Sequence, residues 1–333
     1  MTTITAEAPV RVADIGGWTD TWFAGSGRVC SVAVEPGVRV VLRTDGVAGG
    51  RVSLSLDGGH ESYSFDSGCG PGRQPLLEAA VAAMPPTVGA AIEVSTLVPT
   101  GSGMGASASV TVALLAALSL QRDGVCAEPG SLALLAHRVE TGLGWQSGVQ
   151  DQWAAACGGV SDLTIDYPDT QRRAIVLDPP TSQSLDDRLL TVYVGVPHTS
   201  SRIHEEVITR LATNRPGPIF RRLREAADDA ARALSHGDLA RYGAAMVEHH
   251  EVSRQLHPGL VGARAEQVIE AARSCGALGW KCNGAGGDGG TVTVLGPHGD
   301  ALADLRAAIG GLRGCSVVEH RLAFRGVRAA VTE

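Results

Sequence analysis

Residues 99–110, Pro-Thr-Gly-Ser-Gly-Met-Gly-Ala-Ser-Ala-Ser-Val, constrain this chain more than any other stretch. Three glycines and three serines lie between a strand-like run, residues 91–98, and a strongly helical one, residues 110–120. Glycine allows the positive φ angles of a tight passage from strand to helix. A helix opened in this way presents unpaired backbone N–H groups and the positive end of its dipole, which suits a polyphosphate. A bare turn needs one serine or threonine as N-cap; Ser102, Ser107 and Ser109 exceed that need.

Two familiar phosphate cradles are excluded. A P-loop ends in Gly-Lys-Ser/Thr so that an ammonium reaches the β- and γ-phosphates. The chain has a single lysine, Lys281, and it precedes its glycine cluster instead of ending it. Gly101-Ser-Gly103-Met-Gly105-Ala106 formally matches a dinucleotide fingerprint. That fold needs a second parallel strand ending in an acidic residue about 20 positions on. Here the helix runs through Asp123-Gly124 into another helix. The second cluster, residues 284–290, also matches but is followed by a strand; its glycines either meet phosphate or let strands pack closely.

A length of 333 residues suits two domains of roughly 150 residues each. A net charge of −7 with no basic run gives nucleic acid and anionic membranes no footing. The seven cysteines are scattered and form no CxxC pair, so neither structural zinc nor a disulfide framework is expected. The N-terminal residues lack a basic-then-apolar leader, and no apolar run approaches 18 residues; a reduced, cytoplasmic protein is expected.

Short β-branched runs predict strands at 10–15, 29–34, 38–43 and 52–56, followed by a helix over 74–84. Strand 90–98, helix 107–121, helices 131–141 and 149–157, and strands 160–165, 173–177 and 188–196 follow. A break at Pro197–Ser201 divides the chain, predicting domains at 1–197 and 198–333. Beyond it come helices 202–211, 217–235, 238–254 and 259–275, then strand 277–282, strand 291–295, helix 300–309 and strand 315–325. The class is α+β. His249-His250, with Glu248 and His257 near, have metal-binding chemistry, but adjacent residues on a helix point apart, so a solvated face is expected.

Three separated segments form one pattern: Pro9-Val-Arg11-Val-Ala-Asp-Ile-Gly16-Gly17-Trp18-Thr19-Asp20, then Pro99–Ser109, then Lys281-Cys-Asn-Gly284-Ala-Gly286-Gly287-Asp-Gly289-Gly290. Their order and spacing resemble the GHMP kinase superfamily, over about residues 8–325. Gly-Gly-Trp-Thr-Asp and the Gln150-Asp151-Gln152 core look like the branch of D-glycero-D-manno-heptose 7-phosphate kinase and L-fucokinase. The resemblance implies a two-domain fold: an N-terminal ribosomal-protein-like β-α-β domain and a C-terminal ferredoxin-like α/β sandwich. It also implies transfer of phosphate from ATP, with Mg2+, to the anomeric hydroxyl of a sugar or sugar phosphate. The protein would act as a monomer or homodimer. A GHMP kinase acting on a non-sugar alcohol, and a sugar sensor without turnover, are the alternatives.

Carried onto this chain, the resemblance makes Asp151 the carboxylate that takes or orients the substrate proton. Alone, Asp151 reads as an anion at a helix start. Arg11, on an apolar strand, needs an anionic partner; the resemblance supplies Asp151 and the γ-phosphate. Pro99, Gly101, Ser102, Gly103, Met104, Gly105, Ala106, Ser107 and Ser109 would line the ATP phosphates. Ala106 stands where the family usually has serine, leaving Ser107 to contact metal or phosphate. Glu140 closes a helix, a poor place for an anion unless a hard cation such as magnesium lies nearby. Gly17, Trp18, Thr19, Asp20, Gln150, Gly286 and Gly287 would face substrate, with Trp18 either a platform for a sugar or core. Ser201 and Arg202 begin a helix and would meet a terminal phosphate, unless Ser201 is only an N-cap.

Overall fold

The computed structural model describes residues 2–44, 50–59, 61–68, 70–197, 201–213 and 217–332. Small and β-branched residues alternate along the first strand, β1 (Thr2–Ile15), which runs antiparallel to β2 (Ser26–Thr44). The two strands expected at 29–34 and 38–43 are one, because Glu35-Pro36-Gly37 is taken up as a bulge opposite Pro9. A proline lacks the ladder N–H and is tolerated at such a bulge.

β3 (Arg51–Leu56), β4 (Glu61–Asp66), helix α1 (Pro75–Ala83) and β5 (Ala90–Thr96) follow, with β3 and β5 parallel. Helices α2 (Ala106–Asp123), α3 (Pro129–Gly142) and α4 (Gln150–Cys157) then precede β6 (Val160–Asp166), β7 (Asp169–Ile175) and α5 (Pro179–Arg188). All residues of α2 from Ala108 to Ser119 are buried. A helix buried all round is the centre of a domain, and α2 shares its core with Ile4, Val40, Leu42 and Ile92 of the sheet.

The chain continues through β8 (Leu189–Tyr193), α6 (Ser201–Thr213), α7 (Gly217–Ser235), α8 (Leu239–Leu256), α9 (Ala263–Ser274), β9 (Gly279–Cys282), β10 (Thr291–Leu295), α10 (Asp300–Gly310) and β11 (Ser316–Val318). These strands make a second, antiparallel sheet in the order β11-β8-β10-β9. Numbered within that sheet the order is 4-1-3-2, the ferredoxin-like β-α-β-β-α-β arrangement that the family resemblance implies. The last strands, β12 (Arg321–Leu322) and β13 (Arg328–Thr332), return to β2 and β1 of the first sheet.

The sheets therefore do not divide at 197. β8 already belongs to the second sheet, and residues 321–332 belong to the first. Strand pairing overrides the sequence break at Pro197. Between the sheets, the alanine face of α7 and Tyr242 and Met246 of α8 pack on Val10, Val12 and Ile15 of β1. That shared core places the end of β1 beside the loop after β9.

Candidate active site

The passage from β5 into α2 has positive φ at Gly101, Gly103 and Gly105, at 66°, 71° and 77°. Gly105 is the N-cap of α2 and no side chain caps the helix among the described residues. The first amides of α2 are thus left to an anion. Ser107 is exposed in that first turn.

Other side chains of the loop face inward. Met104 is fully buried in the inter-sheet core, and its carbonyl accepts the Arg11 N–H at 3.0 Å. Ser109 is buried and donates its hydroxyl to the Pro9 carbonyl at 2.7 Å. Ser102 is buried, and its carbonyl accepts from Thr291 Oγ1 at 2.8 Å. The expectation that these side chains meet ATP is corrected: Met104 and Ser109 anchor the loop through their side chains, and Ser102 through its carbonyl, its buried Oγ having no hydrogen-bond partner among the described residues.

Arg11 is 3% exposed, and its guanidinium grips Asp151 with both arms, Nε to Oδ1 at 2.8 Å and Nη2 to Oδ2 at 3.1 Å. Its remaining arm, Nη1, donates to the Gly103 carbonyl. Burial opposes the Arg11 charge, but Asp151, Asp14 and Asp20 outweigh it and hold its pKa above the ordinary value. Asp151 lies in the first turn of α4, and a Cβ on Gly105 would stand 3.2 Å from its carboxylate. The Asp151 carboxylate, its arginine and the start of α2 are therefore one assembly.

Glu140 lies near the end of α3, 3% exposed. Its Oε2 accepts from Ser147 Oγ at 2.5 Å and Gln152 Nε2 at 2.7 Å. Its Oε1 is buried without a hydrogen-bond partner among the described residues. Burial, with Asp151 adding to it, raises the Glu140 pKa to about 7. An orphaned carboxylate oxygen held beside a second carboxylate fits a hard cation.

Asp20 is also buried, and its Oδ2 accepts the Gln150 backbone N–H at 3.1 Å. Burial above all, then Asp151 and Asp14, raises its pKa to about 6. Gly148 packs so closely that a Cβ would lie 2.1 Å from Asp20 Oδ2. Gln150 Oε1 is buried and unpartnered among the described residues, so Asp20 and Gln150 retain polar capacity. Gly17 lets the Asp14 and Gln150 side chains approach within 3.1–3.2 Å of where its Cβ would be.

Trp18 and Thr19 are corrected. Trp18, at φ 74°, is buried with Phe220, Leu223, Val252 and Leu256, so it is core and no sugar platform. Thr19 gives its hydroxyl to the Gly16 carbonyl at 2.7 Å. The exposed tryptophans are Trp22 and Trp145, at 51% and 45%, flanking the Asp20 and Glu140 segments. Their sequence proximity to Asp20 and Glu140 was the available signal.

The second glycine cluster divides in two. Gly284 comes within 3.0 Å, as a Cβ, of the Gly103 carbonyl, and its N–H donates to Asp14 Oδ1 at 3.2 Å. Gly286 and Gly287 instead pack on the loop before α9: the Gly287 N–H donates to the Leu260 carbonyl and its own carbonyl accepts from Gly262. These two glycines serve close backbone packing, not a substrate. Residues 198–200 and the side chains of Ser201 and Arg202 lie outside the described residues.

Four buried residues near the site have burial or partners that the sequence does not reveal. Lys281 pairs with Asp14 at 2.7 Å, both withdrawn from water. Asn283 accepts the Ala13 N–H and donates to Thr291 and Thr293. His249 and His250 are buried, not solvated; His249 Nδ1 accepts the Gly16 N–H at 2.9 Å because α8 docks against that turn.

Comparison with known proteins matches residues 75–159 to the GHMP kinases N terminal domain and residues 230–311 to the GHMP kinases C terminal domain, together half of the chain. The chain belongs to the GHMP kinase family. It is 26% identical over 328 residues to a bifunctional fucokinase/GDP-fucose pyrophosphorylase of Arabidopsis thaliana, covering 90% of this chain and 30% of that protein. It is 25% identical over 325 residues to an L-fucokinase/L-fucose-1-P guanylyltransferase of Bacteroides fragilis, covering 85% of this chain and 33% of that one. The chain thus spans about a third of the length of these relatives. Among solved structures, a D-glycero-D-manno-heptose 1-phosphate kinase from Bacteroides thetaiotaomicron matches with a TM-score of 0.73 at 16% identity, over 98% of each chain. Lactococcus lactis galactokinase with galactose matches at 0.77 and 18% identity, over 98% of this chain and 95% of that one. These share the fold. No helix among the described residues is long and apolar enough to cross a membrane.

Proposed function

We propose that this GHMP kinase transfers the γ-phosphoryl group of ATP to the anomeric hydroxyl of a sugar or sugar phosphate, giving the sugar 1-phosphate. The observation that carries the reading is the two-armed Arg11–Asp151 pair seated against the uncapped start of α2. The sugar class rests on the Gly-Gly-Trp-Thr-Asp and Gln-Asp-Gln segments and on two relatives whose names include fucokinase.

The backbone of Gly101–Ser107 would receive the phosphates. Phosphoryl transfer asks mainly for positioning and charge stabilisation. Asp151, fixed by Arg11, accepts the proton of the attacking hydroxyl as its oxygen bonds to the γ-phosphorus and ADP leaves. Asp20 and Gln150 hold neighbouring hydroxyls, and Trp22 and Trp145 offer the apolar faces that sugars stack upon. Glu140 and Ser107 would hold magnesium, which when bound neutralises phosphate charge.

The test is ADP release across heptose, octose, fucose, galactose and arabinose derivatives, each with and without a terminal phosphate, with 31P NMR of the product. A signal from an anomeric phosphate is expected. Turnover only with acyclic alcohols would overturn the sugar assignment, and tight ATP binding with no turnover on any acceptor would overturn the enzyme.

A further inference from the structure

Lys281 is the chain's single lysine, yet it is placed where a lysine is hardest to keep: fully buried, at the end of β9. Its Nζ donates to Asp14 Oδ1 at 2.7 Å and to its neighbour's carbonyl, that of Cys282, at 2.7 Å. Asp14 is 1% exposed and also receives the Gly284 N–H and, at 3.4 Å, Gln150 Nε2. A buried ion pair gives little net stability, because desolvating two charges offsets their attraction. Its reason has to be sought in the charges around it.

Three carboxylates, Asp14, Asp20 and Asp151, act on the Arg11 guanidinium. Of these carboxylates Arg11 hydrogen-bonds only Asp151, although Asp14 lies on the same strand three residues on. His249 also lies close to Asp14, but burial above all, and then Lys281, pull its pKa well below the usual histidine value. Burial likewise pulls the Lys281 pKa below the usual lysine value, with Asp14 countering it. Burial would push the Asp14 carboxyl up, but Lys281 and Arg11 outweigh it and keep it ionised.

We propose that Lys281 is a positioning residue for phosphoryl transfer: by neutralising Asp14 it leaves the Arg11 guanidinium to Asp151. The proposal rests on the kinase reading above. It assigns the second sheet a part in the first sheet's chemistry, since Lys281 pairs with Thr293 on β10 while Asp14 ends β1.

The experiment compares Lys281→Met with the double variant Asp14→Asn/Lys281→Met, in the full chain, with ATP and whichever of L-fucose or D-glycero-D-manno-heptose 7-phosphate turns over. Lys281→Met leaves Asp14 without its cation, free to draw Arg11 away. Its kcat is expected to fall by about 100-fold with KM for ATP within about threefold, the pattern of a misplaced catalytic group. The double variant has no uncompensated charge and should regain kcat to within about tenfold of the native protein. A role in packing alone predicts the opposite, a double variant no faster than the single. Crystal structures should show Arg11 turned to Asp14 in Lys281→Met and returned to Asp151 in the double variant. A native kcat in Lys281→Met overturns the proposal. So does a folded double variant that is as slow as the single one, or Arg11 unmoved in both. If Lys281→Met fails to fold, the double variant alone carries the test. Asp151→Asn is run alongside: full turnover in that variant removes Asp151, and with it the Arg11–Asp151 premise, whereas a native protein that turns over no acceptor counts against the kinase reading instead.

Discussion

Asp151 is held on two sides, by the Arg11 fork and by the backbone at Gly105, so its carboxylate cannot swing away from the start of α2. A positioned base of this kind contributes about 100- to 10,000-fold. Asp151→Asn keeps the shape and removes the base; kcat should fall within that range while ATP affinity, measured by calorimetry, changes little. Unchanged turnover would remove Asp151 from the mechanism. The two serines of the α2 turn separate function from architecture in the same way. Ser107 is exposed, whereas Ser109 is buried with its hydroxyl on Pro9. Ser107→Ala should lower kcat with little change in thermal stability. Ser109→Ala should cost about 1–3 kcal/mol of stability, because the Pro9 carbonyl loses a buried donor. The reverse assignment of the two effects would contradict the geometry.

At the scale of elements, the site is a seam between two loops rich in glycine. The two loops approach so closely that a side chain on Gly284 would strike the Gly103 backbone, and one on Gly103 the Asn283 carbonyl. Asn283 fastens the seam: its Oδ1 takes the Ala13 N–H at 3.0 Å and its amide bonds Thr291 and Thr293, while Thr291 reaches back to Ser102. Asn283→Ala should cost about 2–3 kcal/mol, since it strands a buried backbone N–H and leaves both hydroxyls short of a partner. Chemical denaturation would show it as a lower midpoint at constant slope. The first glycine loop was legible in the sequence as a tight passage from strand to helix because local chemistry decides it: positive φ needs glycine, and a glycine N-cap leaves the first amides without a side-chain cap. What could not be read locally was the inward turn of Met104 and Ser109, the burial of His249 and the Lys281–Asp14 pair. Each depends on where α8 and β9 dock against β1, more than 230 residues away in sequence for His249 and Gly16. The bulge at Pro36 was misread for a related reason. Proline and glycine look like a turn until the neighbouring strand, with Pro9 opposite, is known.

For the molecule as a whole, the gathered carboxylates couple folding to pH. Glu140 titrates at about 7 in the folded protein against an ordinary 4.5, and Asp20 at about 6 against 3.8, both raised first by burial and further by Asp151. Between the ordinary and the raised values, the folded state binds more protons than the unfolded one. Their contribution to stability is therefore complete below about pH 4 and declines as pH rises to about 7. The Glu140 part amounts to about 3 kcal/mol, a two-and-a-half-unit displacement. Magnesium on Glu140 Oε1 would reverse this decline, because the cation stabilises the ionised form that burial opposes. Binding must then displace a proton at low pH but not above pH 7. Thermal melts with and without excess magnesium should show the larger gain in Tm at pH 8 than at pH 5. In Glu140→Gln that difference should shrink, because the amide neither titrates nor offers a charge. Equal magnesium shifts at both pH values would mean that the ion, if it binds, does so away from Glu140.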